Sequence, residues 1–359
     1  MNNGQLGKRL EDVRKRKRAQ RGLACDAMAQ KMHLAKVEGN VGSDPGLNGL
    51  AKALGPQAQR GEPLARYTRF GVGGPADLLV VCESVDEVVR AVELARQYGV
   101  EWRVLGSGCN VLVADGGIRG LVIVNRAAGV EFEGTAVRAE AGALLAALAG
   151  EAVRRGLVGL EWAAGLPGTV GGAVVGNAGA FEGNIASILR SAAVLEPEGE
   201  VVERPNEWFE FEYRSSRIKR GAGEQGSGGA EEHRCVVLVA TFELEPGEPE
   251  GLAVRATEIL EWRRTRHPTG ATAGSTFKNP PESHAGYLIE QAGLRGYRIG
   301  GAQISELHGN FFMNTGDATA ADLWALIEHT RGVVRQRLGV ELELEIEFLG
   351  VGPWRQKSA

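Results

Sequence analysis

Two glycine-rich stretches constrain this chain more than any other feature. Residues 105–117 read Leu-Gly-Ser-Gly-Cys-Asn-Val-Leu-Val-Ala-Asp-Gly-Gly, and residues 165–179 read Gly-Leu-Pro-Gly-Thr-Val-Gly-Gly-Ala-Val-Val-Gly-Asn-Ala-Gly. Glycine lacks a Cβ, so it takes positive φ at little cost and can turn successive N–H groups into one concavity, as a diphosphate requires. Neither stretch has the Gly-x-Gly-x-x-Gly spacing of a dinucleotide-binding turn or the Gly-Lys-Ser/Thr of a P-loop. A phosphate-bearing cofactor, if these loops hold one, is therefore held in another way. Taken singly, each loop is more often just a place where strands cross closely.

At 359 residues the chain has room for two or three domains and a sizeable core. A composition of 43% hydrophobic and 24% charged residues is that of a soluble globular protein, and a net charge of -4 suggests no polyanionic partner. The four cysteines (Cys25, Cys82, Cys109, Cys235) lack Cys-x-x-Cys spacing, which argues against a zinc site and against a secreted disulfide scaffold. No apolar run approaches the roughly 18 residues of a membrane span. The basic N-terminus has no signal-type hydrophobic segment behind it, so a cytoplasmic protein is expected, neither exported nor inserted.

The first sixty or so residues differ from the rest. Residues 8–21 are dominated by Lys and Arg, and residues 39–59 are rich in Gly, Pro, Asn and Gln. Residues 1–61 are read as a basic, partly disordered extension; the run Arg14 to Arg18 is a solvated tail or, less commonly for such runs, a contact for nucleic acid or an anionic surface. From residue 62 the pattern is regular. Ser84 and Glu87 form a capping box before a helix whose Val85, Val88, Val89, Val92 and Ala95 share one face and which stops at Gly99. Strands are expected at 102–105, 121–124, 192–195 and 236–244, and helices at 143–155, 252–264, 285–292 and 320–338. The last strand, 341–348, alternates strictly, with Leu342, Leu344, Ile346 and Phe348 on one face and glutamates on the other. Residues 220–233 read as a polar, glycine-laden surface loop. These mixed elements give an α+β fold with three lobes: 62–130, 131–248 carrying that insert, and 249–352, followed by a tail at 353–359.

Residues 67–77 (Tyr-Thr-Arg-Phe-Gly-Val-Gly-Gly-Pro-Ala-Asp), the two glycine loops, residues 211–216 (Phe-Glu-Tyr-Arg-Ser-Ser), 274–280 (Gly-Ser-Thr-Phe-Lys-Asn-Pro) and 301–305 (Gly-Ala-Gln-Ile-Ser) follow one another in order. Together they resemble the UDP-N-acetylenolpyruvoylglucosamine reductases of peptidoglycan synthesis, over residues 62–352. The resemblance implies an FAD-binding pair of α+β lobes of the vanillyl-alcohol-oxidase (PCMH) type, plus a C-terminal α+β lobe that covers the substrate. It implies non-covalent FAD reloaded by NADPH, and reduction of a UDP-sugar enolpyruvyl ether by hydride from flavin N5 followed by a proton. The absence of a separate tyrosine-bearing loop resembles the compact form of the family.

By the same resemblance Arg214 binds the substrate carboxylate, for which a permanently charged, two-pronged guanidinium is suited. Ser275 matches the proton donor; a hydroxyl serves as an acid only toward a strongly basic carbon such as an enolate. Glu345 matches a carboxyl that polarises the intermediate. Periodicity places Glu341, Glu343, Glu345 and Glu347 on one polar face and cannot choose among them; Glu343 is the nearest competitor. Gly106, Ser107, Gly108, Asn110, Gly165, Gly168, Thr169, Gly172, Asn177 and Gly179 match FAD-binding positions, with Cys109 where a serine is usual. Tyr67, Lys278, Asn279 and Gln303 match substrate contacts, Arg69 less clearly. His308 is read as a structural hydrogen-bonding residue, and no metal is implied.

Two other readings use part of the same sequence. One is an FAD oxidoreductase acting on an alcohol or 2-hydroxy acid, which would need no Gly-Ser-Thr-Phe-Lys-Asn-Pro segment. The other is a non-catalytic protein that binds nucleic acid through Arg14 to Arg18. The family reading expects a monomer with no nucleic-acid or membrane partner.

Overall fold

A computed structural model describes residues 44–221 and 235–352. The basic run at 8–21, most of the insert expected at 220–233, and the tail at 353–359 lie outside the described residues. The sheets below all belong to one compact unit that begins at Gly49.

The expected extension through residue 61 is too long. Helix α1 (Pro45–Leu54) starts where the Asp44 carboxylate accepts the N–H of Gly46 at 2.8 Å, and Leu50 in it is fully buried. Leu47, Leu50, Ala51 and Leu54 recur at helical spacing, a signal hidden by the surrounding Gly, Pro and Asn. Strand β1 (Gln59–Pro63) then pairs antiparallel with β2 (Pro75–Cys82) at the edge of the first sheet.

Helix α2 (Val85–Gln97) follows β2 and buries Val88, Ala91, Val92 and Ala95. Ser84 Oγ accepts from the N–H of Glu87 at 3.3 Å, while the Glu87 carboxylate reaches back to the N–H of Glu83, one residue beyond the expected capping partner. Strand β3 (Trp102–Leu105) enters the sheet beyond a gap that is later filled. β4 (Val111–Val113) lies outside this sheet, and β5 (Ile118–Asn125) fills the gap, parallel to both β2 and β3. A strand covered on both faces has to be apolar throughout, which explains Ile118 and the run Leu121 to Val124, all buried.

The second sheet is wholly antiparallel. It contains β6 (Val130–Glu133), β7 (Ala136–Glu140), β8 (Leu189–Leu195), β9 (Val201–Pro205) and β10 (Val236–Glu243), in the order β9-β8-β10-β7-β6. Helices α3 (Leu145–Arg154) and α4 (Val170–Val175) cover it, and Leu148, Trp162, Val170, Val174 and Phe242 share one apolar cluster. A single turn of helix, α5 (Arg217–Gly221), precedes the undescribed insert.

Beyond β10 come α6 (Pro249–Arg266), α7 (Ala285–Gln291), a small sheet of β11 (Arg298–Ile299), β12 (Ala302–Ile304) and β13 (Phe312–Asn314), and α8 (Ala320–Leu338). α8 is bounded by a Thr319/Asp322 capping box and by Gly339 at φ +69°. Its core also takes in Phe70, Val72, Leu112 and Ala114 from the segments that connect the first sheet's strands, while that sheet keeps an apolar cluster of its own around Leu64, Leu79, Val122 and Val124. The Asp115 carboxylate accepts the N–H groups of Ala320 and Ala321 at 2.8 and 2.9 Å, and the Asn314 amide donates to Phe70 O at 2.9 Å.

The expected strand at 341–348 is only partly a ladder. β14 (Glu347–Leu349) pairs in parallel with β4, but residues 341–346 are extended without a regular partner strand. The alternation still holds for burial, with Leu342, Ile346 and Phe348 in the core. Its hydrogen bonds go to loops instead: Lys278 N donates to Glu343 O at 2.8 Å, Glu345 N to Thr276 O and Glu347 N to Asn110 O, both at 2.9 Å. No helix among the described residues is long and apolar enough to cross a membrane.

Candidate active site

The first glycine loop leaves the C-terminal end of β3, where open sheets with parallel strands characteristically present ligand sites. Gly108 sits at φ +62°, and a Cβ there would lie 2.0 Å from Tyr67 O, so both conformation and space demand glycine. A Cβ on Gly106 would lie 2.3 Å from Thr169 Oγ1, which shows that the two glycine loops abut. Among the described residues, the N–H groups of Ser107, Gly108, Cys109 and Asn110 donate to no other protein group. Those of Gly165, Gly168 and Thr169 are equally uncommitted. Such a set of free backbone donors suits a diphosphate.

Both loops line one cavity of about 1330 Å³. It also takes in Arg214, Ser275 and Glu345, which come from three distant parts of the chain. Arg214 projects from a tight turn in which Glu212 N donates to Ser215 O at 3.1 Å and Ser215 N to Glu212 O at 3.2 Å. Its Nε stands 2.9 Å from Glu345 Oε1, close enough for an ion pair but too poorly aligned for a hydrogen bond. Ser275 immediately precedes Thr276, whose carbonyl holds the backbone of Glu345, and Asn110 Nδ2 donates to Glu345 O at 3.0 Å. Asn310 fixes the loop from beneath, its Oδ1 accepting from Phe277 N at 2.9 Å and its Nδ2 donating to Phe277 O at 2.8 Å.

Burial separates the candidate glutamates where periodicity could not. The Glu345 side chain is 17% exposed, against 67% for Glu343 and 45% for Glu347. Glu343 pairs with Lys278, and Glu347 Oε1 lies 3.4 Å from Lys219 Nζ. Desolvation pushes the Glu345 carboxyl above the ordinary range, opposed by the positive charges of Arg214, Lys219 and Lys278. A carboxyl so placed holds a proton more readily than one in water.

Of the expected cofactor positions, Gly106, Ser107, Gly108, Asn110, Gly165, Gly168, Thr169, Gly172 and Gly179 line the cavity, as do Lys278, Asn279 and Arg69. Asn279 has part of its amide committed, accepting from Ala285 N at 3.0 Å at the start of α7. The Cys109 thiol lies 3.2 Å from Ser107 Oγ. Three further matched positions, Tyr67, Gln303 and Asn177, are not among the residues that line the cavity. Tyr67 packs against the core beneath the first sheet. Gln303 is held in the small sheet, accepting from Arg298 Nη2 at 2.8 Å and donating to Gly296 O at 3.3 Å. Asn177 has both ends of its amide bonded within the protein.

The cavity also contains residues the sequence reading missed. Arg263, on α6, lies with its guanidinium carbon 5.2 Å from the Phe181 ring centre, and its buried Nε and Nη2 have no hydrogen-bond partner. Burial first and Arg214 second lower its affinity for a proton. His267 packs on Phe311 and His308, at ring-centre distances of 4.7 and 5.7 Å. Burial, then the Arg263 charge, brings His267 down to about 4. His308 accepts the N–H of Asn310 through Nδ1 at 3.1 Å and is also lowered by burial, in keeping with a structural role. Among the described residues no cluster of His, Cys, Asp and Glu could hold a metal.

The glycine-lined cavity, with uncommitted backbone donors beside a half-buried arginine–glutamate pair, suits a phosphate-bearing cofactor, and the chain's similarity to known proteins makes the class an FAD-binding oxidoreductase. A family model described as FAD binding domain matches residues 76–204, and another, described as UDP-N-acetylenolpyruvoylglucosamine reductase, C-terminal domain, matches residues 266–349. Curated relatives of that name include one from Rubrobacter xylanophilus, 45% identical over 84% of this chain and 99% of its own length. Another, from Bacillus subtilis, is 40% identical over 80% of this chain and 93% of its own length. A solved structure of the reductase from Thermus caldophilus aligns with a TM-score of 0.68 at 36% identity, over 81% of this chain and 98% of that one. The chain belongs to the UDP-N-acetylenolpyruvoylglucosamine reductase family.

Proposed function

We propose that this chain reduces UDP-N-acetylglucosamine enolpyruvate to UDP-N-acetylmuramate, an NADPH-dependent step of peptidoglycan precursor synthesis. The observation that carries the reading is the meeting of Arg214, Ser275 and Glu345 in the cavity lined by both glycine loops, with Arg214 and Glu345 2.9 Å apart. Bound FAD, reloaded by NADPH, supplies the hydride. The free N–H groups of 107–110, 165, 168 and 169 fit its diphosphate.

Arg214 binds the substrate carboxylate and stabilises the extra charge that develops there as the enol carbon is reduced. Ser275 delivers the proton to the carbon bearing the carboxylate. Glu345 stands by as the half-buried carboxyl that polarises this intermediate and restores the serine proton. Arg263, with uncommitted N–H groups in the same cleft, suits a phosphate of the nucleotide. Lys278 and Asn279 complete the polar wall. Because the whole site lies within one chain, a monomer suffices, and the reading places it in the cytoplasm.

The test uses purified holoenzyme in two half-reactions. NADPH should bleach the bound flavin, and the enolpyruvyl nucleotide, but not carbonyls derived from alcohols or 2-hydroxy acids, should restore its colour. Ser275→Ala should leave bleaching intact and slow recolouring by roughly two to four orders of magnitude, as for a lost general acid. Equal losses in both halves would remove Ser275 from its role; recolouring by alcohol-derived carbonyls would overturn the substrate.

A further inference from the structure

We propose that Asn177 is a positioning residue that acts on the reaction through Arg214. The proposal rests on the reading of Arg214 as the carboxylate-binding residue. Arg214 adopts φ +57°, in the left-handed region that non-glycine residues enter only at a cost of about 1–2 kcal/mol. A two-residue turn of this kind, Tyr213 and Arg214 between Glu212 and Ser215, ordinarily has glycine or asparagine at the second corner. Something outside the turn has to hold it.

The holding contacts come from the end of the second glycine stretch. Asn177 Nδ2 donates to Glu212 O at 2.9 Å, so that this carbonyl takes one bond from inside the turn and one from outside. Ser216 Oγ donates to Val175 O at 2.6 Å and accepts from Lys219 N at 3.3 Å, anchoring the far side of the turn to α4 and to α5. Asn177 is itself constrained: it is buried, sits at φ +43°, and its Oδ1 accepts from Ala186 N at 3.1 Å. The acceptor end ties Asn177 to its own loop, and the donor end ties the arginine turn to that loop. Because the side chain does not line the cavity, its effect on substrate passes through the turn.

Only the donor end touches the turn, which makes a selective test available. Asn177→Asp keeps an acceptor for Ala186 N and a residue tolerant of positive φ, but replaces the donor with a carboxylate oxygen facing the Glu212 carbonyl. In holoenzyme the variant should retain FAD and be reduced by NADPH within about twofold of the parent, while kcat/KM for the enolpyruvyl nucleotide falls by about tenfold or more. The decisive arm is a double-mutant cycle with Arg214→Ala. If Asn177 acts through Arg214, Asn177→Asp should cost less than about twofold once the guanidinium is gone. An undiminished loss in the Arg214→Ala background, or a loss of flavin to match the loss of rate, overturns the proposal. If Arg214→Ala alone leaves recolouring unchanged, it is the carboxylate-binding role that fails. Should Asn177→Asp not fold, Asn177→Gly, which keeps positive φ and removes both ends of the amide, enters the same cycle with the same readouts.

Discussion

Gly106→Ala tests the abutment of the two glycine loops. Gly106 does not adopt positive φ, so the substitution carries no backbone penalty and its effect is steric alone. The new Cβ would stand 2.3 Å from Thr169 Oγ1 and 3.4 Å from Thr169 Cβ and Cγ2, roughly 1 Å inside ordinary contact at the closest point. Thr169 is only 6% exposed and opens α4, so it has little room to swing aside. The loops therefore have to part. Overpacking of this kind costs about 1–3 kcal/mol, and where both loops close on one diphosphate it should appear as FAD affinity weakened roughly 5- to 150-fold. Thr169→Ala removes the two outer atoms, leaving the 3.4 Å contact with Cβ. Measured by flavin fluorescence on apoprotein, Gly106→Ala/Thr169→Ala should bind FAD more tightly than Gly106→Ala, even if Thr169→Ala alone binds more weakly than the parent. Parent-like affinity in Gly106→Ala, or no recovery in the double variant, would refute the steric argument.

Glu343→Gln should leave substrate-driven flavin reoxidation within about threefold of the parent, whereas Glu345→Gln should slow it by about 100-fold or more; stopped-flow absorbance would expose the reverse order. Folding holds His267 neutral down to about pH 4, against an ordinary value of 6.5. Between those values the unfolded chain takes up a proton that the folded chain refuses, so stability falls as pH drops, by about 2 kcal/mol at pH 5. His267→Gln should flatten that part of the urea-midpoint profile, and parallel profiles would contradict the assignment. Asp115→Ala removes both side-chain acceptors at the start of α8 and should cost about 1–2 kcal/mol, read as a Tm lower by a few degrees in calorimetry. An unchanged Tm would show those two bonds to be dispensable.

The sequence was most legible where a local rule decides the outcome. Ser84 before a repeating apolar face marks the start of α2, and the apolar run at 121–124 reads as strand and lies in β5. Glu345 shows the limit of such rules. Four alternating glutamates are equivalent in pattern, and they differ only in what crosses above them, namely Asn110, 235 residues away, and the loop beginning at Ser275. Family resemblance selects the third glutamate, and packing supplies the reason, since that backbone is pinned from both sides where Arg214 approaches. Gln303 and Asn177 show the reverse, because membership in a glycine-rich or polar motif does not say where an amide points. The register of β12 against β11 turns Gln303 toward Arg298, and the bend at Asn177 turns its amide beneath the arginine turn. Arg263 escaped notice because Trp-Arg-Arg-Thr-Arg reads as a solvated run; α6 lays only one of those arginines over Phe181, while Arg264 pairs with Glu261 in solvent. Asn177 and Arg263 are polar side chains whose directions are set by partners on distant elements, Glu212 and Phe181, whereas Gln303 is turned by a near neighbour, Arg298. The selectivity of a site like this one accordingly resides in the contacts that aim its side chains, which is why a buried asparagine outside the cavity is expected to control an arginine inside it.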